Sequence, residues 1–141
     1  MNIDSIQNGY VLDHIKAGRS MEIYKYLKLN ELDCSVAIIK NVKSSQMGKK
    51  DMIKIDALID LDLTVLGYVD PGITINVIKD GKRTEKKKLA LPTHIVNIIK
   101  CKNPRCITAC EPQLDSIFEL GRKADGKRVY RCAYCETEHH R

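Results

Sequence analysis

Four cysteines in the last third of this chain stand at spacings that can hold a metal. Four residues separate Cys101 from Cys106, two separate Cys132 from Cys135, and 25 lie between the pairs. Two close pairs about 15–25 residues apart describe two knuckles closing on one tetrahedral ion, and thiolates at about 2.3 Å suit Zn²⁺. With all four positions taken by protein, no place is left for a reacting water. The reading is one structural zinc ion per chain, with coincidence or two disulfides as the bland alternatives. Four thiolates and Zn²⁺ together contribute −2, and Arg105, Lys127, Arg128 and Arg131 flank the ligands to offset it. Cys110 is a substitute ligand or a free thiol. Cys34 reads as a small apolar residue buried in a strand. His139 and His140 are either further ligands or part of a solvated tail.

A second set of residues is polar where the pattern is otherwise apolar. Asp13-His14 interrupts Gly9-Tyr-Val-Leu-Asp-His-Ile15, Lys54 interrupts Ile53-Lys-Ile55, and Asn76 interrupts Ile75-Asn-Val77. On strands, alternate side chains point to opposite faces, so each could simply face water. Taken together, an Asp that accepts from sugar hydroxyls, a His and several Lys that meet phosphate, and an Asn make a plausible nucleotide pocket. The run Lys79–Lys88 adds six cations against two anions, which suits either a phosphate-facing edge or a solvated one. No P-loop or G-x-G-x-x-G is present, and no nucleophile–base–orienter set can be defended, so catalysis is not supported.

These residues need elements to position them. Gly9–Ile15, Cys34–Ile39, Met52–Asp56 and Ile73–Ile78 read as strands, with Ser44–Asp51 a polar loop between the second and third. Ser20 caps a helix running to Leu29, with Met21, Tyr24 and Leu27 on its inner face, and Leu61–Val69 reads as a second helix. Asp80-Gly81 signals a hairpin into a last strand over Lys86–Leu91. The order β-α-β-β-α-β with an added strand predicts a ferredoxin-like α/β sandwich, followed by a small β-rich zinc domain: an α+β chain. Pro92 marks the boundary, giving residues 1–92 and 93–141. About 49 residues are too few to stand on burial alone, so the second domain needs a staple.

Composition narrows the classes. The 141 residues are 43% hydrophobic, with no Trp and one Phe, enough for an Ile/Leu/Val core. No apolar run approaches the ~18–20 residues of a membrane span, and the opening residues lack the order of a secretion signal; the expected location is the cytoplasm. The net charge of +6 favours an anionic partner. Because it divides evenly between the halves and stacking aromatics are few, a nucleic-acid-binding zinc ribbon is disfavoured. The closed four-cysteine site likewise disfavours a small zinc enzyme.

Several blocks then carry a resemblance. Gly9–Ile15, Met47-Gly-Lys-Lys-Asp-Met-Ile-Lys-Ile55, Pro71-Gly-Ile-Thr-Ile-Asn76, Leu91-Pro92, Cys101-x4-Cys106-Ile-Thr, Glu111-Pro112 and the closing Cys-x2-Cys occur in an order that resembles the regulatory chain of aspartate carbamoyltransferase over essentially the whole length. The resemblance implies a non-catalytic subunit in pyrimidine biosynthesis, with a nucleotide-binding domain and a zinc domain. It implies CTP as inhibitor, ATP as activator and UTP as a further candidate effector. It also implies homodimers of regulatory chains that link catalytic chains into a dodecamer-type assembly, with no nucleic acid or membrane as partner. Position by position, it places Asp13 at the ribose, His14 and Lys86 at phosphate, and Lys54 at base and ribose. Val11, Asn76 and Ile78 would line the pocket, with Asp4, Ser5 and Ile6 beside the base. Gly81 stands where some relatives carry a larger residue. Asn103 and Glu111 are candidates for the contact with the catalytic chain.

Overall fold

A computed structural model describes residues 6–140, and the chain divides into two compact units at Leu91/Pro92. No helix among the described residues is long and apolar enough to cross a membrane.

The first unit runs β1 (Gly9–Lys16), α1 (Ser20–Tyr26), β2 (Val36–Ser44), β3 (Gly48–Ile55), α2 (Leu63–Val69), β4 (Thr74–Lys79) and β5 (Lys82–Lys88). Its strands form one antiparallel sheet in the order β2-β3-β1-β4-β5, the ferredoxin-like arrangement with one strand added at the β4 edge. One face is apolar: Leu12, Ile53 and Ile75 are cross-strand neighbours and fully buried, with Ile55 and Val77 in the next row. Ile23 of α1 and Val65–Val69 of α2 complete that core. The helices meet where Tyr26 and Tyr68 pack edge to face at 6.2 Å, and Arg19 Nη1 donates to Val69 O at 2.7 Å. Gly9 sits where the β3 backbone leaves no room for a side chain: a Cβ there would come within 2.0 Å of Ile55 O.

Local chemistry explains the start of α2 and the turn between β4 and β5. Asp62 caps α2, its carboxylate accepting from the Thr64 and Val65 N–H groups. Asp80 and Gly81 both have positive φ (53° and 77°), the two-residue turn that matches strand twist. Other boundaries differ from the sequence reading. The loop expected over Ser44–Asp51 shrinks to residues 45–47, because β2 and β3 continue through polar residues that pair across the hairpin. Helix α1 begins at Ser20 rather than being capped by it, and ends where Lys28 turns left-handed at φ 53°. Its buried residues are Ser20 and Ile23, while Met21 is exposed. The last strand spans Lys82–Lys88, not Lys86–Leu91. Cys34 lies half-buried in the bend before β2, not inside a strand.

The second unit has a three-stranded antiparallel sheet, β6 (His94–Val96), β7 (Ile117–Arg122) and β8 (Arg128–Cys132), with one helical turn, α3 (Ile107–Cys110). Its core is Ile95, Ile99, Phe118, Val129 and Tyr130 together with Cys106 and Cys132. Two of those seven residues are sulfur ligands, which is why apolar burial alone is thin here. Tyr130 Oη donates to Pro92 O at 2.7 Å and fastens the start of the unit to β8.

Candidate functional site

The metal centre is built from two turns. In the first, Asn103 Oδ1 accepts from Arg105 N–H at 3.0 Å and Asn103 O from Cys106 N–H at 3.1 Å, folding the chain back between Cys101 and Cys106. In the second, Glu136 N–H donates to Cys132 O at 2.8 Å, with Glu136 left-handed at φ 63°. The turns bring Cys101, Cys106, Cys132 and Cys135 together, all four sulfurs lying within 4.8 Å of one another. Cys101 and Cys135 are 3.5 Å apart, Cys106 and Cys132 3.7 Å. Sulfurs at about 2.3 Å from a tetrahedral ion stand about 3.8 Å apart, so the donor set fits one structural Zn²⁺ held by these four side chains. Neither Cys110, exposed at the end of α3, nor His139 and His140 belong to the cluster.

The surroundings favour thiolates unevenly. Burial pushes Cys101 up to about 12 and raises Cys132 as well, while the Thr137 hydroxyl and backbone N–H hold Cys135 down at about 6. Thr108 Oγ1 donates to Cys106 Sγ at 3.1 Å. A divalent cation resolves the repulsion among four such sulfurs, so binding it is linked to folding of this unit. The cations expected to offset the charge do not all serve it: Arg131 turns to Glu138 at 3.5 Å and Arg122 O at 3.3 Å. Hydroxyl and backbone donors sit at the sulfurs instead.

In the first unit the polar interruptions converge. Lys54 on β3, Val11 on β1, Asn76 on β4 and Lys86 on β5 are successive cross-strand partners, one row on the sheet face away from the buried apolar rows. Asp13 and Ile78 lie on the same face by alternation. His14 reaches its place through irregularity. The β1–β3 register shifts between Leu12 and Ile15, and His14 is left-handed at φ 59° inside that bulge. His14 and Lys86 share a cleft of about 470 Å³ with Thr74, Lys88, Met47 and Gln46. His14 Nδ1 and Asn76 Oδ1 are buried without hydrogen-bond partners, polar atoms that a bound ligand would satisfy.

Other expected positions fall differently. Ile6 is 9% exposed and counts among the buried apolar residues. Asp4 and Ser5 lie outside the described residues. Asp13 is engaged within the protein: Lys50 Nζ is 2.9 Å from Oδ1, and His14 N–H donates to the same oxygen at 2.7 Å. Burial pushes the Asp13 carboxyl up, but Lys50 and the His14 amide outweigh it and hold it below the usual range. Lys50 is the residue that reading the sequence missed. Its only signal was the alternation Lys50, Met52, Lys54, which sets it on the same face as Lys54. Asn103 Nδ2 donates to Thr137 Oγ1 at 3.3 Å, and Glu111 is exposed beside Gln113.

Known proteins match both units. The family of the aspartate carbamoyltransferase regulatory chain, allosteric domain, matches residues 1–90, and that of its metal binding domain matches residues 93–141. The aspartate carbamoyltransferase regulatory chain of Clostridium botulinum (strain Hall) is 51% identical over 136 residues, covering 96% of this chain and 92% of that one. The regulatory chain of Clostridium tetani is 50% identical over 137 residues, covering 96% and 94%. That of Bifidobacterium longum is 44% identical over 138 residues, covering 98% of each. With a four-sulfur centre in the second unit and matches of this extent along both, the chain belongs to the aspartate carbamoyltransferase regulatory chain family.

Proposed function

We propose that this non-catalytic chain binds nucleoside triphosphates on the open face of its first sheet and passes their effect to a catalytic chain held by its zinc unit. CTP would inhibit, ATP would activate, and UTP is a third candidate. The chain would act in the cytoplasm as a homodimer linking catalytic chains in a dodecamer-type assembly, with residues 1–92 as the allosteric domain and 93–141 as the zinc domain. The observation that carries the nucleotide reading is the row Lys54–Val11–Asn76–Lys86, with Asp13 on the same face and His14 at its bulge. Cations at both ends of the row, with Val11 and Asn76 between them, suit a triphosphate at one end and a base with its ribose at the other. Both described partners of Asp13 use Oδ1, so Oδ2 can accept from ribose hydroxyls. Asn103 and Glu111 are the proposed contacts with the catalytic chain. A bound nucleotide regulates only through different affinities for two states of the assembly, and a coupling of about 1–3 kcal/mol gives about 5–150-fold effects.

Calorimetric titration of the full chain with CTP, ATP and UTP tests this. Lys54→Ala and Lys86→Ala should each weaken binding about tenfold, the loss of one charge-assisted bond, with zinc content unchanged. Absence of binding by all three nucleotides, together with salt-sensitive binding to DNA or RNA, would overturn it.

A further inference from the structure

The four sulfurs are not equally sheltered. Cys106 and Cys132 are 1% and 2% exposed, whereas Cys101 and Cys135 are half-buried. A cleft of about 200 Å³ opens on this outward side, lined by Lys100, Cys101, Lys102, Phe118, Thr137 and His139. The cleft reaches Cys101 and Thr137, so the site is less enclosed on this side than on the packed side of Cys106 and Cys132.

On that outward side one hydroxyl joins the two turns. Asn103, from the first, uses Oδ1 to accept the Arg105 N–H at 3.0 Å, which fixes the orientation of its amide. Its Nδ2 therefore points the other way and donates to Thr137 Oγ1 at 3.3 Å. Thr137 Oγ1 in turn lies 3.2 Å from Cys135 Sγ in the second turn. A threonine hydroxyl has a single proton. A free Cys135 thiol donates its S–H to that oxygen, but a metal-bound thiolate has no proton, so the direction reverses: the Thr137 hydroxyl then donates to the sulfur while accepting from Asn103. The inward sulfur Cys106 has its own donor in Thr108, but it is also locked by packing. Cys135 has less packing to hold it.

We infer that Thr137 is a positioning residue of the metal centre: oriented by Asn103, it holds the Cys135 thiolate in place and sets the rate at which the ion leaves through the outward cleft. Outer hydrogen bonds to metal ligands commonly contribute 10–100-fold in affinity. Here the bond lies on the exposed side, so its effect falls on retention of the ion. Thr137 reaches no substrate or partner in this role; it acts through Cys135.

The test is zinc release from the full zinc-loaded chain into excess pyridylazoresorcinol. Thr137→Val keeps the shape and removes the hydroxyl, and should release zinc about tenfold faster. Thr137→Ser, which restores the hydroxyl, should return the rate to near that of the parent. In cobalt-substituted protein, Thr137→Val should also shift the thiolate-to-cobalt absorption band, which a purely structural substitution elsewhere in the unit would leave alone. Release within twofold of the parent with an unshifted band would overturn the inference. If Thr137→Val cannot be loaded, Thr137→Ala against Thr137→Ser decides: both lose the methyl, and only the serine keeps the hydroxyl. Faster release from Thr137→Ala than from Thr137→Ser supports the inference, and equal rates overturn it.

Discussion

Asp51 is fully buried, yet it is a carboxylate. Its oxygens accept from three backbone amides: Asn41 at 3.0 Å, Gly18 at 3.1 Å and Ser20 at 3.3 Å. Ser20 is the first residue of α1 and Gly18 stands two residues before it, so a residue on β3 provides the cap that α1 lacks in its own sequence. Burial pushes the carboxyl up, but the amides outweigh it and hold it below the ordinary value. The Ser20 hydroxyl adds to the lowering although its geometry falls short of a full hydrogen bond. A depressed carboxyl contributes stability above its unfolded value, near pH 3.9, and loses that contribution as pH falls through the folded value. Asp51→Asn should therefore cost the first unit about 1–3 kcal/mol at pH 7, the cost of leaving a buried amide without its acceptor. The gap between variant and parent should close as pH falls below about 4. Urea unfolding followed at core amides such as those of Leu12 and Ile53 measures it, and parallel pH curves for the two proteins would contradict the assignment. Hydropathy patterning treats Asp51 as one more surface charge in Gly48-Lys-Lys-Asp, because it cannot see amides delivered from 10 and 33 residues away.

Among the elements, order and pairing were legible in the sequence because the apolar alternation of β1, β3 and β4 is strong, and Asp80-Gly81 specifies its turn. The irregularities were not. β3 is flanked at one level by two bulges, between Leu12 and Ile15 on β1 and between Ile39 and Val42 on β2, each with a left-handed residue, His14 or Asn41. A bulge changes which parity faces the core, so Leu12 and Ile15 are both buried though three apart. From the sequence Asp13-His14 looks like an interruption; in the fold it is the device that brings His14 to the open face. The row Lys54–Val11–Asn76–Lys86 could be read residue by residue, but only strand order and register make it a row. The Asp13–Lys50 pair needed the same information. The cysteine centre was the most legible feature, since short spacing constrains geometry directly, whereas its Thr137 link depends on side-chain rotamers.

The molecule as a whole carries two kinds of stability. The first unit has a continuous apolar layer between sheet and helices. The second counts two metal ligands among its core residues and joins three short strands. Zinc removal by a strong chelator should therefore unfold residues ~93–141 while the first unit keeps its amide protection, a two-step loss in place of a single transition. Hydrogen exchange on chelated protein measures it. Equal protection in both units would mean that the second folds without its ion. The same treatment should free a catalytic partner, which would then work without responding to nucleotides.

The bulge in β1 also bears on how this chain can tolerate loss of a residue. Elsewhere in the strand, deleting one residue would put every later side chain on the wrong face. At His14 the opposite holds. Without it, Leu12, Asp13 and Ile15 would lie opposite Ile53, Met52 and Asp51 as a regular ladder, with both flanking registers kept. A chain lacking His14 should fold and load zinc as the parent does, but bind ATP or CTP at least tenfold more weakly. On the proposed nucleotide reading, the excess residue would serve the ligand rather than the architecture, and the simplest lesion that spares the scaffold would be one that silences regulation.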